Sequence, residues 1–393
     1  MGFKQRQVFL LTYLIYVAYY LFRLNFSIAL PGIESDLKYT KTSLGFISAA
    51  FSFFYAIGQF VNGRLVNRVG ARRLIFIGLT LSIAMNWLFG CIRDPLLSMV
   101  VRGVNGYAQS TGWPSVVKII SDWFRSSEGT VGGIFGTCFL VGNMVAWSLL
   151  GYIMENYGWQ SVFWAPSSPL VLVMVIFYLG VHEKNRSDVE PGRDNSAVFR
   201  RFLPSKEIMI LSLAFMLLQM IRSGFTLWIP SYLFETWNLR LELTGYIASI
   251  IPFGGIVSSV TLGWLSDKYK KLERRKIMLL LTLLLGVILL IFCNGTPPNL
   301  QLGAILLFLF GLTLYTPLIL MSTVAPLEFK EICNPAEVAG FIDGLGYIGS
   351  IFADFFIGWL IDGQGWHAVM IFLFLTSLGA SLLISIFSRW KIG

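Results

Sequence analysis

The sequence is poor in charged side chains, cysteines and histidines. Asp, Glu, Lys and Arg make up only 13% of its 393 residues, about half of the ~25% that is usual in soluble domains. Hydrophobic residues account for 55%, and the mean hydropathy is +0.70. A water-soluble protein of this length could not bury so much apolar surface, so we expect lipid to surround much of the chain.

Motifs for metal binding, ATP hydrolysis and serine catalysis are missing. The two histidines, His182 and His367, have no partners at metal-ligand spacing. The cysteines lie in or beside apolar segments, where we interpret them as free thiols: Cys91, Cys138, Cys293 and Cys333. Neither a P-loop signature nor a GxSxG nucleophile elbow occurs. We therefore predict neither an enzyme nor a protein that holds a metal or another cofactor.

Twelve apolar runs are long enough to cross the ~30 Å of hydrocarbon in a bilayer. Lipid offers the backbone no hydrogen-bond partners, so each run is predicted to be a helix and the chain an all-α membrane protein. We number these predicted spans 1 to 12: 8–30, 43–63, 73–92, 95–121, 129–155, 161–181, 207–233, 243–265, 275–294, 300–325, 335–361 and 366–388.

Basic residues set the predicted orientation. Of the 30 Lys and Arg, 22 lie in the termini and the loops on the same side, and the opposite loops hold only Lys38, Lys41, Arg93 and Arg240. Positive loops face the cytoplasm, so we expect both termini there, in a cell inner membrane. The net charge of +9 does not indicate nucleic-acid binding, because it is spread over short loops between apolar runs.

An internal repeat predicts two similar halves. GRLVNRVGARR from Gly63 resembles GWLSDKYK from Gly263, and Arg23 and Arg222 are 199 positions apart. Six spans per half give a parallel repeat related by an axis along the membrane normal, as in the major facilitator fold. We expect two six-helix bundles in a functional monomer, with a polar cytoplasmic linker between them. The predicted boundaries are 1–181 and 207–393 for the bundles and 182–206 for the linker.

The basic loops after spans 2 and 8 have two readings. Arg64, Arg68 and Arg72 could pair with carboxylates such as Asp267 and latch one conformation. They could equally reflect positive-inside topology alone.

Arg23 and Arg222 lie deep in the membrane, 15 residues beyond the predicted starts of their spans at 8 and 207. This is ~22 Å of helix, where an arginine costs ~2.5–3.5 kcal/mol and should face a cavity or a partner. Equal depth in equivalent spans predicts that the two face each other and bind an anion. The alternative is that each pairs with a carboxylate of its own half.

Several segments resemble one family, the organophosphate:inorganic phosphate antiporters of the major facilitator superfamily, which include glycerol-3-phosphate and hexose-phosphate transporters. The segments are YVAYYLFRLNFSIALP, NGYAQSTGWP, IRSGFTLWIPSYL, LYTP and AGFIDGLGYIGS. The resemblance implies that Arg23 and Arg222 bind phosphate. It also implies that four tyrosines line the cavity: Tyr16, Tyr20, Tyr55 and Tyr315.

This chain departs from the family pattern at three positions. Gln59 stands where glycerol-phosphate members carry Lys, Phe139 where they carry His, and Leu227 where an Asp often precedes Trp. The site therefore lacks a third cation and an imidazole. We expect Gln59 to tune selectivity, toward another organophosphate or a carboxylate.

Two acidic residues of span 11, Asp343 and Asp354, lie nearly on one face three turns apart. Counted from residue 334, Asp354 is expected near the outer surface and Asp343 deep inside. Arg102 begins an RGVNG segment that resembles a signature of proton-coupled facilitators. One hypothesis is that Asp343 takes up a proton or balances Arg102 or Arg222, and the other is a structural ion pair.

Three functions remain open at this point. The first is a secondary carrier that exchanges a phosphorylated metabolite for inorganic phosphate by alternating access. The second is a proton-coupled symporter of a carboxylate or another organic anion. The third is a membrane sensor that binds sugar phosphate without transporting it.

Overall fold

The computed structural model describes residues 2–124, 134–181, 205–268, 274–295, 297–329 and 335–389. These residues form helices joined by short connections and contain no strand. The all-α prediction is confirmed. The predicted linker 182–206 lies almost entirely outside the described residues, so the predicted boundaries of the bundles stay a prediction.

The first six predicted spans occupy the following helices. Span 1 is Phe3–Tyr19 with Leu21–Leu37, span 2 is Lys41–Val69, span 3 is Ala71–Phe89, span 4 is Pro95–Gln109 with Gly112–Trp123, span 5 is Cys138–Tyr157, and span 6 is Ser161–Trp164 with Ser167–Gly180.

The other six spans follow in the same order. Span 7 is Lys206–Thr236, span 8 is Leu241–Ala248 with Ile250–Lys268, span 9 is Arg274–Cys293, span 10 is Leu300–Ile319 continued by a π-turn at Leu320–Val324 and Ala325–Glu328, and spans 11 and 12 together are Pro335–Arg389.

Ten helical stretches in the described part are long and apolar enough to cross a membrane. One of them, Val338–Ser388, contains both span 11 and span 12, which separate at the non-helical Gly365. Span 4 is absent from the ten because its helix is interrupted at Ser110 and Thr111. The hydroxyls of these two residues donate to the carbonyls of Tyr107 and Ala108 in their own chain segment, a local bond that competes with regular helix.

The backbone repeats the internal symmetry of the sequence at the turns. Lys38 and Asn238, which follow spans 1 and 7, both have positive φ, at 56° and 52°. Gly158 and Gly365, which follow spans 5 and 11, have φ of 80° and 76°. Glycine takes this conformation without steric cost. Two pairs of unusual turns at equivalent positions support the predicted pseudo-symmetry of the halves.

At the face opposite the chain termini, the two halves approach backbone to backbone. A Cβ on Gly45 of span 2 would lie 2.6 Å from the Asp354 carbonyl oxygen in span 11, and one on Gly245 of span 8 would lie 2.3 Å from the Trp147 carbonyl oxygen in span 5. Any side chain at either glycine would therefore push the spans apart.

Ion pairs across the halves add to this contact. Lys41 Nζ of span 2 lies 2.7 Å from Glu34 in its own half and 2.9 Å from Glu235 in the other half. Arg240 lies 3.1 Å from Glu155 of the first half. We call this end of the molecule, with its glycine contacts and these ion pairs, the sealed face.

Candidate functional site

A cavity of about 110 Å³ lies between the halves. Side chains from spans 1, 2, 4, 5, 7 and 11 line it, so both halves contribute to one space. Among the residues predicted from sequence, Arg23, Arg222, Tyr20, Tyr55 and Arg102 are part of this lining.

Arg23 is held mainly by aromatic rings. Its guanidinium lies 4.9 Å from the Tyr20 ring centroid and 4.4 Å from that of Tyr55, which stabilises the cation without neutralising it. Nη1 donates to the Tyr20 hydroxyl at 3.3 Å, whereas Nε and Nη2 are buried and have no acceptor among the residues that the structure describes. In the described part of the chain, no carboxylate lies within 4.0 Å of this guanidinium.

Arg222 reaches the same cavity from the equivalent helix of the second half. Its Nε donates to the Gln219 side-chain oxygen one turn earlier, and it too has no carboxylate within 4.0 Å among the described residues. The structure therefore brings Arg23 and Arg222 together and shows neither with an acidic partner. Their role in binding an anion stays a prediction.

The four predicted tyrosines do not share one environment. Tyr20 and Tyr55 line the cavity. Tyr16 and Tyr315 are buried beside it: the Tyr16 ring packs 5.2 Å from that of Trp113, and the Tyr315 ring 6.0 Å from that of Phe139.

Three further polar side chains, Gln59, Tyr347 and Asn143, differ in whether they line the cavity. Gln59 is half-buried and is not part of the lining. Tyr347 of span 11 and Asn143 of span 5 do line the cavity, although the sequence reasoning did not select them. The Tyr347 ring lies 5.5 Å from that of Tyr55 and so joins the two halves. Its signal was the AGFIDGLGYIGS segment, which contains this tyrosine and resembles the antiporter family.

Arg102 of span 4 is a positioning residue for span 1. It is only 4% exposed and donates to the Arg23 carbonyl at 2.8 Å and the Phe22 carbonyl at 3.4 Å. Its guanidinium lies 4.5 Å from the Phe51 ring centroid. These bonds fix the backbone at Arg23. The predicted proton role of Arg102 stays untested.

Asp354 is buried and not exposed at the outer surface, so the expectation of a surface position is wrong. It is 2% exposed and lines the cavity. One carboxylate oxygen accepts from Ser48 at 3.1 Å and Ser52 at 2.8 Å, and the other from Ser223 at 2.7 Å. Span 11 runs from Pro335 to the break at Gly365, ~45 Å of helix against ~30 Å of hydrocarbon. Asp354 lies ~28 Å along this helix from Pro335 and is therefore still within the bundle.

Asp343 and the predicted latch arginines lie outside the cavity lining. The Asp343 side chain is exposed and is not part of the cavity lining. Arg64 and Arg68 are also exposed. Arg72 donates to the Val181 carbonyl at 3.2 Å, which ties it to its own half. The side chain of Asp267 lies outside what the structure describes, so the latch stays a prediction.

Two pseudo-symmetric helical halves that are sealed at one end and enclose an arginine-lined cavity define a polytopic membrane carrier. Residues 12–331 match the family model described as Major Facilitator Superfamily. The chain belongs to the Major Facilitator Superfamily, a family of transporters rather than enzymes.

Relatives and solved structures agree with this assignment. The chain is 26% identical to a probable hexose phosphate transport protein of Chlamydia pneumoniae, over 93% of this chain and 87% of the relative. It is 26% identical to a glycerol-3-phosphate transporter of Bacillus subtilis (98% and 92%) and to sugar phosphate exchanger 3 of Homo sapiens (87% and 79%). A bacterial homologue of the human lysosomal transporter Spinster, crystallised inward-facing and unoccupied, shares the fold with a TM-score of 0.81 at 16% identity, covering 100% of both chains.

Proposed function

We propose that this protein carries a phosphorylated metabolite across the plasma membrane by alternating access, in exchange for inorganic phosphate. The observation that carries the proposal is the pair Arg23 and Arg222 in one cavity, with no carboxylate within 4.0 Å of either among the described residues. Three relatives named as a probable hexose phosphate transport protein, a glycerol-3-phosphate transporter and a sugar phosphate exchanger support the phosphorylated substrate.

Electrostatics explain why an anion would draw the halves together. For two guanidinium groups ~10 Å apart at an effective dielectric of ~20, repulsion is ~1–2 kcal/mol. A dianion between them reverses the sign, and each planar guanidinium can hold a phosphate through two hydrogen bonds. Arg23 already has two buried guanidinium nitrogens, Nε and Nη2, that find no acceptor among the described residues.

The orientation and the state of the carrier belong to the same proposal. If the basic loops face the cytoplasm, the sealed face is the outer one and the cavity belongs to an inward-facing arrangement. Transport then requires the halves, predicted as 1–181 and 207–393, to rock about the cavity. The latch of Arg64, Arg68 and Arg72 with Asp267 would act in the opposite, outward-facing state. We propose that a monomer is sufficient.

The departures from the family pattern bear on selectivity. Leu227 lines the cavity where an Asp was often expected, and Phe139 packs against Tyr315 where a His was expected. Leu227 makes the cavity lining more apolar, and Phe139 puts an apolar ring beside the buried Tyr315. We propose that its organophosphate differs from glycerol 3-phosphate, and that Gln59 acts indirectly, since it is not part of the lining.

Counterflow in proteoliposomes tests the proposal. Vesicles loaded with unlabelled phosphate should take up labelled phosphate, and glycerol 3-phosphate, hexose phosphates or dicarboxylates should compete. Arg23→Gln and Arg222→Gln should each lower the rate at least tenfold, because each removes a charged hydrogen-bonding fork. Arg240→Gln is the matched control, because this arginine is 75% exposed and is not part of the cavity lining.

Undiminished counterflow in the double variant Arg23→Gln/Arg222→Gln would overturn the proposal. Phosphate binding without any counterflow would instead indicate the sensor.

A further inference from the structure

Asp354 joins the two halves of the carrier through hydroxyl groups. The carboxylate belongs to span 11 of the second half, and its Oδ2 accepts from Ser48 and Ser52 of span 2 in the first half. Its Oδ1 accepts from Ser223 of span 7 in its own half. Two of the three donors therefore come from the half that must move away when the sealed face opens.

The charges around Asp354 are mostly positive but none is a contact partner. No cation of the described chain lies within 4.0 Å of the carboxylate. Arg222 and Arg102 are close enough to interact with it electrostatically. The titratable and charged groups that share its cavity, on spans 1, 2, 4, 7 and 11, are Tyr20, Arg23, Tyr55, Arg102, Arg222 and Tyr347. Among the described residues that line the cavity, Asp354 is the one that is acidic.

A carboxylate in this position can replace the cargo as the counter-anion of the arginines. Without such a group, moving the empty cavity through the membrane would leave the arginine charges uncompensated, and only exchange would be rapid. When the sealed face opens, Ser48 and Ser52 move away with span 2. Asp354 then loses two of its three donors and meets water on the outer side, where it can accept a proton.

We propose that Asp354 couples net transport to a proton: the charged carboxylate balances the arginines when no cargo is bound, and it carries a proton when an organic anion takes over that balance. This inference rests on the proposed function. It assigns the coupling to Asp354, which is buried in the cavity lining and bonded to both halves. Arg222 also interacts electrostatically with Asp343, but the side chain of Asp343 is exposed and is not part of the lining. The proton comes from water on the outer side and leaves to water on the inner side, together with the anion.

Two transport modes separate this role from a structural one. With labelled inorganic phosphate or glucose 6-phosphate, wild-type proteoliposomes should show both counterflow at equal pH and net uptake driven by an acid outside. Asp354→Asn should keep counterflow within about threefold and lose proton-driven net uptake at least tenfold. Asp343→Asn is the matched control and should keep both.

Net uptake by Asp354→Asn that still follows the pH gradient would overturn the proposal, and so would a wild type that performs counterflow but no proton-driven uptake. Absence of all counterflow in the wild type would refute the proposed function instead.

A measurement without substrate tests the role of Asp354 even if the wild type shows no counterflow. Spin labels at exposed positions on the two halves, Tyr157 and Trp359, report the separation of the sealed face. Acidification should widen this distance in the wild type, and Asp354→Asn should widen it at neutral pH. If neither acidification nor Asp354→Asn changes this distance, the coupling role is refuted.

Discussion

Arg23 shows how a membrane interior can keep an arginine charged and ready for a ligand. Two tyrosine rings, from Tyr20 and Tyr55, lie against its guanidinium at 4.9 and 4.4 Å from their centroids. Arg102 fixes the backbone carbonyl of Arg23 at 2.8 Å. Ring faces attract the cation but leave its N–H groups unused, unlike a carboxylate, which would compete with an incoming phosphate.

Replacing Tyr55 tests this role of the rings. Tyr55→Leu should weaken phosphate binding about thirtyfold, because a desolvated cation–π contact contributes ~2 kcal/mol. Tyr55→Phe keeps the ring and should stay within about twofold of wild type. Isothermal titration of the purified protein with inorganic phosphate measures both values. Equal losses in the two variants would show that the hydroxyl, and not the ring, is what matters.

Sequence could locate the arginines but not the carboxylate that shares their cavity. Arg23 and Arg222 were predicted because a buried charge at equal depth in equivalent spans has few explanations. Asp354 was misplaced because depth was counted from a helix start, and neither the excess length nor the tilt of a helix can be read from composition. Its serine partners lie about 300 and 131 positions away along the chain, a proximity that no local pattern reveals.

At the scale of helices, close backbone contact between spans 5 and 8 controls the sealed face. Gly245 faces the Trp147 carbonyl so closely that a Cβ would lie 2.3 Å from the oxygen, and 3.1 Å from the Cα of Gly151. Gly358 of span 11 stands 207 positions after Gly151 of span 5 and makes a similar contact: a Cβ on Gly358 would lie 2.3 Å from the Lys41 carbonyl oxygen. Both contacts between the halves therefore use glycine at related positions, as is common between membrane helices.

Gly245→Ala should disfavour the sealed arrangement. The added methyl group cannot fit without separating spans 5 and 8, and such overpacking costs ~1–3 kcal/mol. We expect a wider distance between the Tyr157 and Trp359 labels and slower transport. Gly63→Ala is the control, since a Cβ there meets nothing within 4 Å. An unchanged distance in Gly245→Ala would show that this contact does not limit closure.

Element prediction was weakest where polar side chains interrupt an apolar run. Span 4 was predicted as one helix over 95–121, but it breaks at Ser110 and Thr111. Hydroxyls that bond to nearby carbonyls are tolerated in many helices and break others. The residue types alone therefore do not determine whether a helix is interrupted. Here Gly58 and Gly78 of neighbouring spans also pack directly against these two side chains.

For the whole molecule, the repeat in the sequence predicted two similar halves, and equivalent turns at Lys38 and Asn238 support this. The conformational state was beyond reach, because one sequence encodes both states of a rocking carrier and their free energies differ by only a few kcal/mol. The ion pairs of the sealed face contribute to the free-energy difference between these two states. They join residues far apart in sequence, such as Lys41 and Glu235, and a movement that opens the sealed face would separate them.

The two ion pairs across the sealed face should contribute very unequally. Lys41 is 8% exposed between Glu34 and Glu235, whereas Arg240 is 75% exposed in its pair with Glu155. Buried hydrogen bonds to charged groups contribute ~1.5–3 kcal/mol, and exposed pairs ~0–1 kcal/mol. Lys41→Met should therefore shift the population toward the open outer face by about 30-fold, while Arg240→Gln should shift it less than about fivefold.

Loss of Lys41 also leaves two carboxylates facing each other, which adds repulsion in the same direction. The distribution of distances between the Tyr157 and Trp359 labels measures the populations directly. Raising the ionic strength should reproduce the small effect of Arg240→Gln but not that of Lys41→Met, since salt screens exposed charges much more than buried ones. If both variants give the same small shift, the seal depends on the glycine contacts of spans 2, 5, 8 and 11 and not on charge.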